Sequence, residues 1–192
     1  YYAFNLINTW PKWEKNFLNI SGEKFSGKTH LSNVFLKKFK GIKIDSESFT
    51  NNDLKKIKIY ENIILDNFTS SVDENLVYTL FNTIDQDNKY LILNSLAPVN
   101  EINFSLLDLR SRMKNCLAAK IEKPDDELMF AIILKNFSDR QVVIDKKLID
   151  FIIKRIERSY DKIFQFIYKI DEISLKKKKP IDLKIIKEAL KV

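Results

Sequence analysis

One segment of the chain combines the residue types that bind a nucleotide phosphate. Residues 22–29 read GEKFSGKT and fit the spacing G-x-x-x-x-G-K-[ST]. In such a loop, backbone N–H groups hold phosphate oxygens, Lys28 reaches the terminal phosphates, and the Thr29 hydroxyl is a ligand of Mg²⁺. The chain has only 3 glycines, and two of them lie here, so their backbone freedom is expected to be needed. The segment therefore predicts a nucleotide-binding loop, and the alternative is a flexible turn.

A strongly apolar run supplies the acid that such a loop needs. NIILD, at 62–66, ends at Asp66, which is expected to hold the water shell of the metal. Asn67 follows, where many ATPases of this architecture carry a carboxylate that polarises the attacking water, and an amide cannot accept its proton. Phe25 stands where many such loops have another glycine, and its bulk is expected to weaken binding. We therefore expect weak or absent intrinsic hydrolysis.

Further polar positions follow in the chain. Asn94 ends the run YLILNS at 90–95 and is expected to contact the γ-phosphate or its water, with a strand-end cap as the alternative. The segment DLRSR carries Arg110 and Arg112, and only 5 of the 33 basic residues are arginine. A clustered pair in a lysine-biased chain indicates a need for the guanidinium fork, and surface solubility is the alternative.

Three other features have simpler interpretations. His30 is the only histidine, and packing or a hydrogen bond is favoured for it because phosphoryl transfer needs no histidine. Cys116, the only cysteine, is interpreted as a small buried apolar residue. The run 176–179, four lysines, is interpreted as a solvated loop, with phosphate contact as the alternative.

The elements that must position these residues alternate along the first part of the chain. Short apolar runs indicate buried strands, and apolar residues at helical spacing lie between them. This alternation predicts an α/β fold with a parallel sheet. The predicted strands are 16–21, 42–44, 62–66, 90–95 and 117–121, and the predicted helices include 29–39, a face from 76 to 84, and 106–115.

The pattern changes at Lys123 and Pro124, after which only helical spacing occurs. Pro124 and the acids that follow it open a helix, and further helices are expected from near Asp145, around residues 163–170 and from Asp182. We therefore predict two domains, a nucleotide-binding core at 1–122 and a helical domain at 123–192. The excess of basic residues falls mostly in the second.

Composition limits the class of protein. A net charge of +7 permits attraction to nucleic acid but is below that of a dedicated DNA-coating protein. No run of about 18 apolar residues is present, and the opening residues lack the features of a secretory signal. A single cysteine cannot pair within the chain, so we expect a soluble cytoplasmic protein. Because the first residue is Tyr1, we expect the true start to be missing.

Several of these segments together resemble a known family. Five segments are similar to the AAA+ domain of the DnaA replication-initiator family. They read GEKFSGKTHL, NIILDNF, LILNS, DLRSRM and SLKKKKPIDLKIIKEAL. The chain resembles the Hda family of DnaA-related regulators over nearly its whole length. The features that carry this resemblance are the GKTHL continuation, the Asp66–Asn67 pair and the ending after a lysine-rich segment. An initiator would continue into a helix-turn-helix domain beyond Val192.

The resemblance implies a P-loop AAA+ core with a five-stranded parallel sheet, followed by a small all-α helical lid, with nucleotide between them. It implies regulatory inactivation of the initiator, in which the ADP-bound protein on the sliding clamp makes DnaA hydrolyse its ATP. Arg112 would be an arginine finger acting in trans. The implied binding residues for ADP or ATP and Mg²⁺ are Gly22, Glu23, Lys24, Phe25, Ser26, Gly27, Lys28, Thr29, His30, Asp66 and Asn94, with Thr29 and Asp66 as metal ligands.

The implied partners are the DnaA initiator and the DNA polymerase III sliding clamp, bound through a segment expected before Tyr1. The resemblance is also compatible with self-association and with indirect contact with DNA at the replisome. The lid segment ERSYDKIF has Asp161 where related proteins commonly carry a phosphate-contacting arginine, and Lys162 and Arg158 are the candidates to replace that arginine. Two alternatives stay open, a nucleotide-bound adaptor and a DNA-associated ATPase or loader.

Overall fold

A computed structural model describes residues 2–190. Its five strands form one sheet in the order β2-β3-β4-β1-β5, and every neighbouring pair is parallel. This confirms the predicted α/β fold. The strands are β1 Phe17–Ser21, β2 Gly41–Asp45, β3 Asn62–Phe68, β4 Tyr90–Ser95 and β5 Leu117–Lys120.

Helices connect and follow the strands. They are α1 Tyr2–Asn8, α2 Lys28–Lys38, α3 Asn51–Ile57, α4 Glu74–Gln86, α5 Leu107–Lys114, α6 Asp126–Asp139, α7 Lys146–Ile153, α8 Tyr160–Lys177 and α9 Leu183–Leu190. Within residues 2–190, no helix combines the length and apolar character that crossing a bilayer requires.

Both faces of the sheet are buried, which explains why the strands read as nearly continuous apolar runs. Successive residues of a strand point to opposite faces. Ile63 and Leu65 pack in a cluster with α4 and α5, whereas Ile64 packs with residues of α1 and α2. On that second face Trp13 is buried against Phe35, with ring centroids 6.0 Å apart.

The chain divides into two compact units. One contains the sheet, with the chain up to Gly22 and then Gly27–Ile121; the other contains Glu23–Ser26 and the chain from Glu122 onward. In the second unit, helices α6 to α9 bury a core of their own, which includes Ile133, Ile167 and Ile186. The tip of the phosphate-binding segment thus belongs to the same compact unit as these helices.

The structure differs from the sequence prediction in three places. Helices α1 and α3 were not predicted, because each is seven residues long and too short to show helical spacing clearly. The lysine run at 176–179 is not simply a loop. Helix α8 continues through Lys177, and Lys178 ends it in the left-handed conformation, with φ 50°.

The third glycine is required by a close approach of two strands. A Cβ atom at Gly41 would collide with the backbone carbonyl oxygen of Asn62 on β3 and with the side chain of Leu36. Because the colliding carbonyl belongs to the sheet ladder, it cannot move aside cheaply. Gly41 therefore holds β2 against the strand that ends in Asp66.

Candidate nucleotide-binding site

The phosphate loop, residues 22–29, joins β1 to α2. Gly22 donates its N–H to the carbonyl of Ser95 at the end of β4, at 3.2 Å. Gly27 precedes α2 with φ 95°, a conformation that favours glycine, and a Cβ there would meet no atom within 4 Å. No side chain of the described residues caps α2, and an uncapped helix start of this kind is suited to bind an anion.

Two side chains of the loop are candidates to contact a bound phosphate. Lys28 donates from Nζ to the carbonyl of Gly22 at 2.7 Å, so the lysine crosses the loop it belongs to. The Ser26 hydroxyl is buried and has no hydrogen-bond partner among the described residues. A buried hydroxyl without a partner is costly, and a phosphate oxygen is an acceptor of the kind that would satisfy it.

A hydrogen-bond network surrounds Asp66, whose residue is 6% exposed. Its Oδ1 accepts from the Thr29 hydroxyl at 3.3 Å and from the Asn94 side-chain amide at 3.0 Å. The same amide donates to the buried Ser32 hydroxyl at 2.7 Å, while Asn94 Oδ1 is buried without a partner in the described chain. The structure thus brings together Thr29, Asp66 and Asn94, which the sequence assigned to this site.

These residues fit a magnesium ion by the chemistry of their donors. Thr29 and Asp66 offer a hydroxyl and a carboxylate oxygen, and Mg²⁺ prefers such oxygen ligands while keeping several waters. Within residues 2–190 no group of three or more histidine, cysteine, aspartate or glutamate side chains forms a metal cluster. A metal here would accordingly depend on these two residues, water and the phosphates of the nucleotide.

The Asn67 side chain is hydrogen-bonded to a neighbouring carboxylate. It has φ 55°, is exposed, and donates from its side-chain amide to Asp45 Oδ2 at 2.6 Å. Asp45 ends β2 in register with Asp66 on β3. Sequence reasoning missed Asp45. A signal for it was present, because the segments 41–45 and 62–66 both end in aspartate.

Lys43 is the other residue that the sequence did not indicate. It lies on β2, with Nζ 4.0 Å from Asp66 Oδ2 and 3.0 Å from Asn33 Oδ1. Only the register of β2 against β3 reveals that this lysine faces the buried carboxylate.

The loop tip makes its contacts with α8, in the same compact unit. Glu23 accepts from the Ser159 hydroxyl at 2.6 Å and from the Tyr160 N–H at 2.9 Å. A glutamate of the phosphate loop therefore helps to cap α8. Burial raises the pKa of the Tyr160 phenol, and the negative charge of Glu23 raises it further. Lys24 is exposed.

Phe25 has φ 63°, in the left-handed region that a bulky residue rarely adopts. Its ring centroid lies 4.9 Å from that of Phe164 on α8. This aromatic contact offsets part of the backbone strain. Residue 25, where many such loops have glycine, therefore keeps the backbone conformation of a glycine although it is a phenylalanine.

Arg112 and His30 make their contacts elsewhere. Arg112, on α5, forms an ion pair with Asp85 of α4, donates to Asn82 Oδ1 at 2.7 Å, and stacks over Tyr78 at 5.4 Å. The exposed His30 lines a cavity of about 420 Å³ with other residues of α2. The side chain of Arg112 is 31% exposed.

The sheet order and the phosphate loop define a P-loop fold of the AAA+ class. Solved structures share this fold: domain III of DnaA from Thermotoga maritima has a TM-score of 0.77 at 20% identity, covering 99% of this chain and 88% of that one. AMPPCP-bound DnaA from Aquifex aeolicus has a TM-score of 0.71 at 21% identity, covering 92% and 65%. A RuvB mutant from Thermotoga maritima reaches 0.71 at 14% identity, covering 92% and 62%.

Sequence comparison narrows the resemblance to the replication initiator. The chain is 29% identical over 204 residues to the chromosomal replication initiator protein DnaA of Thermoanaerobacter sp. (strain X514), covering 94% of this chain and 46% of that protein. The DnaA of Caldanaerobacter subterraneus is 28% identical over the same coverage. No family model matches. The chain spans about half the length of these relatives, and the predicted resemblance to DnaA-related AAA+ proteins is confirmed.

Proposed function

We propose that the protein is a DnaA-related AAA+ regulator that binds adenine nucleotide and, with the DNA-loaded sliding clamp, stimulates ATP hydrolysis by the initiator DnaA. In this proposal residues 1–122 are the nucleotide-binding core, residues 123–192 are the lid, and the protein acts in the cytoplasm at the replisome. The observation that carries the proposal is an intact phosphate loop beside Asn67, which has no carboxylate to offer the attacking water.

The nucleotide is supported by three features of the phosphate loop. Gly27 has the conformation that a phosphate-binding turn needs, the start of α2 is uncapped, and Ser26 has a buried hydroxyl without a partner among residues 2–190. Thr29 and Asp66 are the residues that would ligate a Mg²⁺ ion arriving with the phosphates.

Weak intrinsic hydrolysis follows from the surroundings of Asn67. Its amide cannot accept a proton, and it donates a hydrogen bond to Asp45 Oδ2. A nucleoside triphosphate bound here would be hydrolysed slowly. Its effect on ATP would then be exerted on the nucleotide of a partner.

Arg112 is the residue proposed to act on that partner. Helix α5, which carries it, is fixed at its start because Glu74 accepts the N–H groups of Ser105 at 2.9 Å and Leu106 at 2.6 Å. Arg112 and its partner Asp85 are both partly exposed, so another acceptor can replace this one. Arginine fingers in known systems contribute about 10³ to 10⁵ in rate.

Nucleotide binding is tested by thermal unfolding. At a free ADP concentration a hundredfold above Kd, the protein should gain about 2.7 kcal/mol of stability. Lys28→Ala should abolish the gain, because the lysine reaches the terminal phosphates. A melting curve that neither ADP nor ATP changes would contradict nucleotide binding.

The regulatory role is tested by phosphate release from ATP-loaded DnaA in the presence of DNA-loaded clamp. The full chain should accelerate release, and Arg112→Ala should lose the acceleration. Arg110→Ala is the matched control, since Arg110 is an exposed arginine on the same helix, and it should behave as wild type. Absence of acceleration by wild type, with clamp and nucleotide binding both demonstrated, would refute the regulatory role.

A nucleotide-bound adaptor without catalytic effect is the second candidate. The contacts of Arg112 with Asp85 and Asn82 favour it, because an arginine held within its own chain is a structural element. An adaptor would bind ADP and lose it on Lys28→Ala, but would leave phosphate release from DnaA unchanged.

A further inference from the structure

A lysine ammonium lies beside the carboxylate that the metal would need. Lys43 Nζ is 4.0 Å from Asp66 Oδ2 and 3.0 Å from Asn33 Oδ1. The Lys43 side chain is 34% exposed, whereas that of Asp66 is 8% exposed. The ammonium therefore reaches water on one side and a buried negative charge on the other.

The two oxygens of Asp66 have different surroundings. Oδ1 accepts from the Thr29 hydroxyl, the Asn94 amide and the N–H of Asn67, the last at 3.1 Å. Three donors thus converge on this one oxygen. Oδ2 is the oxygen that faces Lys43, and it is also the oxygen left for a metal or its water.

Hydrogen bonds and a nearby positive charge both stabilise a buried negative charge. Lys43 supplies a positive charge beside Oδ2. A divalent ion at Oδ2 would either displace the ammonium or lie within a few ångströms of it, where like charges repel. Both routes weaken the affinity of this site for Mg²⁺.

We infer that Lys43 is the resident counter-ion of Asp66 and that the protein binds a nucleoside diphosphate with little dependence on Mg²⁺. The inference rests on the proposed nucleotide binding. A diphosphate is the favoured ligand because the metal's main task in triphosphate sites is to bridge the β- and γ-oxygens, and a diphosphate has no γ-phosphate.

The first experiment measures the Kd of ADP by calorimetry in excess Mg²⁺ and in excess EDTA. For wild type the two values should agree within about threefold, whereas Lys43→Met should bind ADP about tenfold more tightly with Mg²⁺ than without it. Lys43→Arg keeps the charge and should behave as wild type. Lys37→Met, an exposed lysine of α2, is the control for loss of one positive charge.

The outcomes separate this inference from the function on which it rests. If wild type binds ADP about tenfold more tightly with Mg²⁺, the inference is wrong and nucleotide binding stands. If Lys43→Met and Lys37→Met respond alike, the effect is one of net charge and the role of Lys43 is refuted. If wild type binds no ADP in either buffer, both fail.

A second experiment needs neither metal nor nucleotide. Urea unfolding in EDTA of wild type, Lys43→Met, Asp66→Asn and the double variant gives the coupling between the two side chains. The pair should change the unfolding equilibrium constant by about threefold or more beyond the product of the single effects. Independent effects would show that Lys43 does not compensate Asp66.

Discussion

The trans role proposed for Arg112 requires that its own chain release it. We predict that the ion pair with Asp85 is weak, because the two side chains are 31% and 46% exposed. Pairs at such positions contribute about 0.2 to 1 kcal/mol. The hydrogen bond to Asn82 and the stacking over Tyr78 add to this, so Arg112→Ala should cost about 1 to 2 kcal/mol of unfolding free energy.

The free energy of these contacts is small compared with the transition-state stabilisation that an arginine finger provides. A rate effect of 10³ to 10⁵ corresponds to about 4 to 7 kcal/mol of transition-state stabilisation. Breaking the contact with Asp85 would therefore offset only a small part of that transition-state stabilisation. Removing Asp85 should make Arg112 easier to release and raise the stimulation of DnaA, by about fivefold for 1 kcal/mol of coupling.

The assay is a double-mutant cycle on Arg112→Ala and Asp85→Ala by urea unfolding, with phosphate release from DnaA measured for the same variants. We expect a coupling energy of about 0.5 to 1 kcal/mol and a stimulation raised about two- to fivefold for Asp85→Ala. A coupling above about 2 kcal/mol together with reduced stimulation would show that the pair is structural.

Three further predictions concern stability. Glu23→Ala removes two acceptor oxygens at the start of α8 and should cost about 1 to 2 kcal/mol of unfolding free energy, measured in urea. The exposed control Glu14→Ala should change the unfolding free energy by no more than about 0.5 kcal/mol. Equal effects of the two variants would refute the cap. Burial raises the pKa of the Cys116 thiol to about 12, so its alkylation at pH 8 should be slow when folded and fast in urea. Since the thiol's pKa is about 9 when unfolded, the stability of wild type relative to Cys116→Ala should fall as the pH rises from about 9 toward 12, and a pH-independent difference would refute the raised pKa. Gly41→Ala should cost about 2 kcal/mol or more because its Cβ meets the carbonyl of Asn62, and a near-neutral result would refute the collision.

The sequence predicted the sheet and the phosphate loop because both depend on local signals. Strands buried on both faces read as apolar runs, and the loop has a fixed spacing of glycine, lysine and threonine. Asp66 and Asn94 were placed near each other because parallel strands end at one edge of a sheet. The assignment of these residues to a nucleotide remains a prediction.

The remaining parts of the site depend on contacts across long stretches of chain. Lys43 faces Asp66 only through the register of β2 on β3. Glu23 meets Ser159 at a separation of 136 residues, and the partners of Arg112 lie on a neighbouring helix. Such pairs are set by tertiary packing, for which a single sequence carries no periodic signal.

The left-handed backbone of Phe25 also bears on how this position can change over generations. Phenylalanine codons begin with a pair of thymines and glycine codons with a pair of guanines, so no single base change joins them. The one-step intermediates encode valine or cysteine. Valine is branched at Cβ and is among the residues least compatible with φ 63°, and cysteine loses the ring that packs on Phe164 without gaining the freedom of glycine. Both intermediates are expected to be less stable than either end, so the backbone geometry itself opposes a stepwise exchange of phenylalanine for glycine.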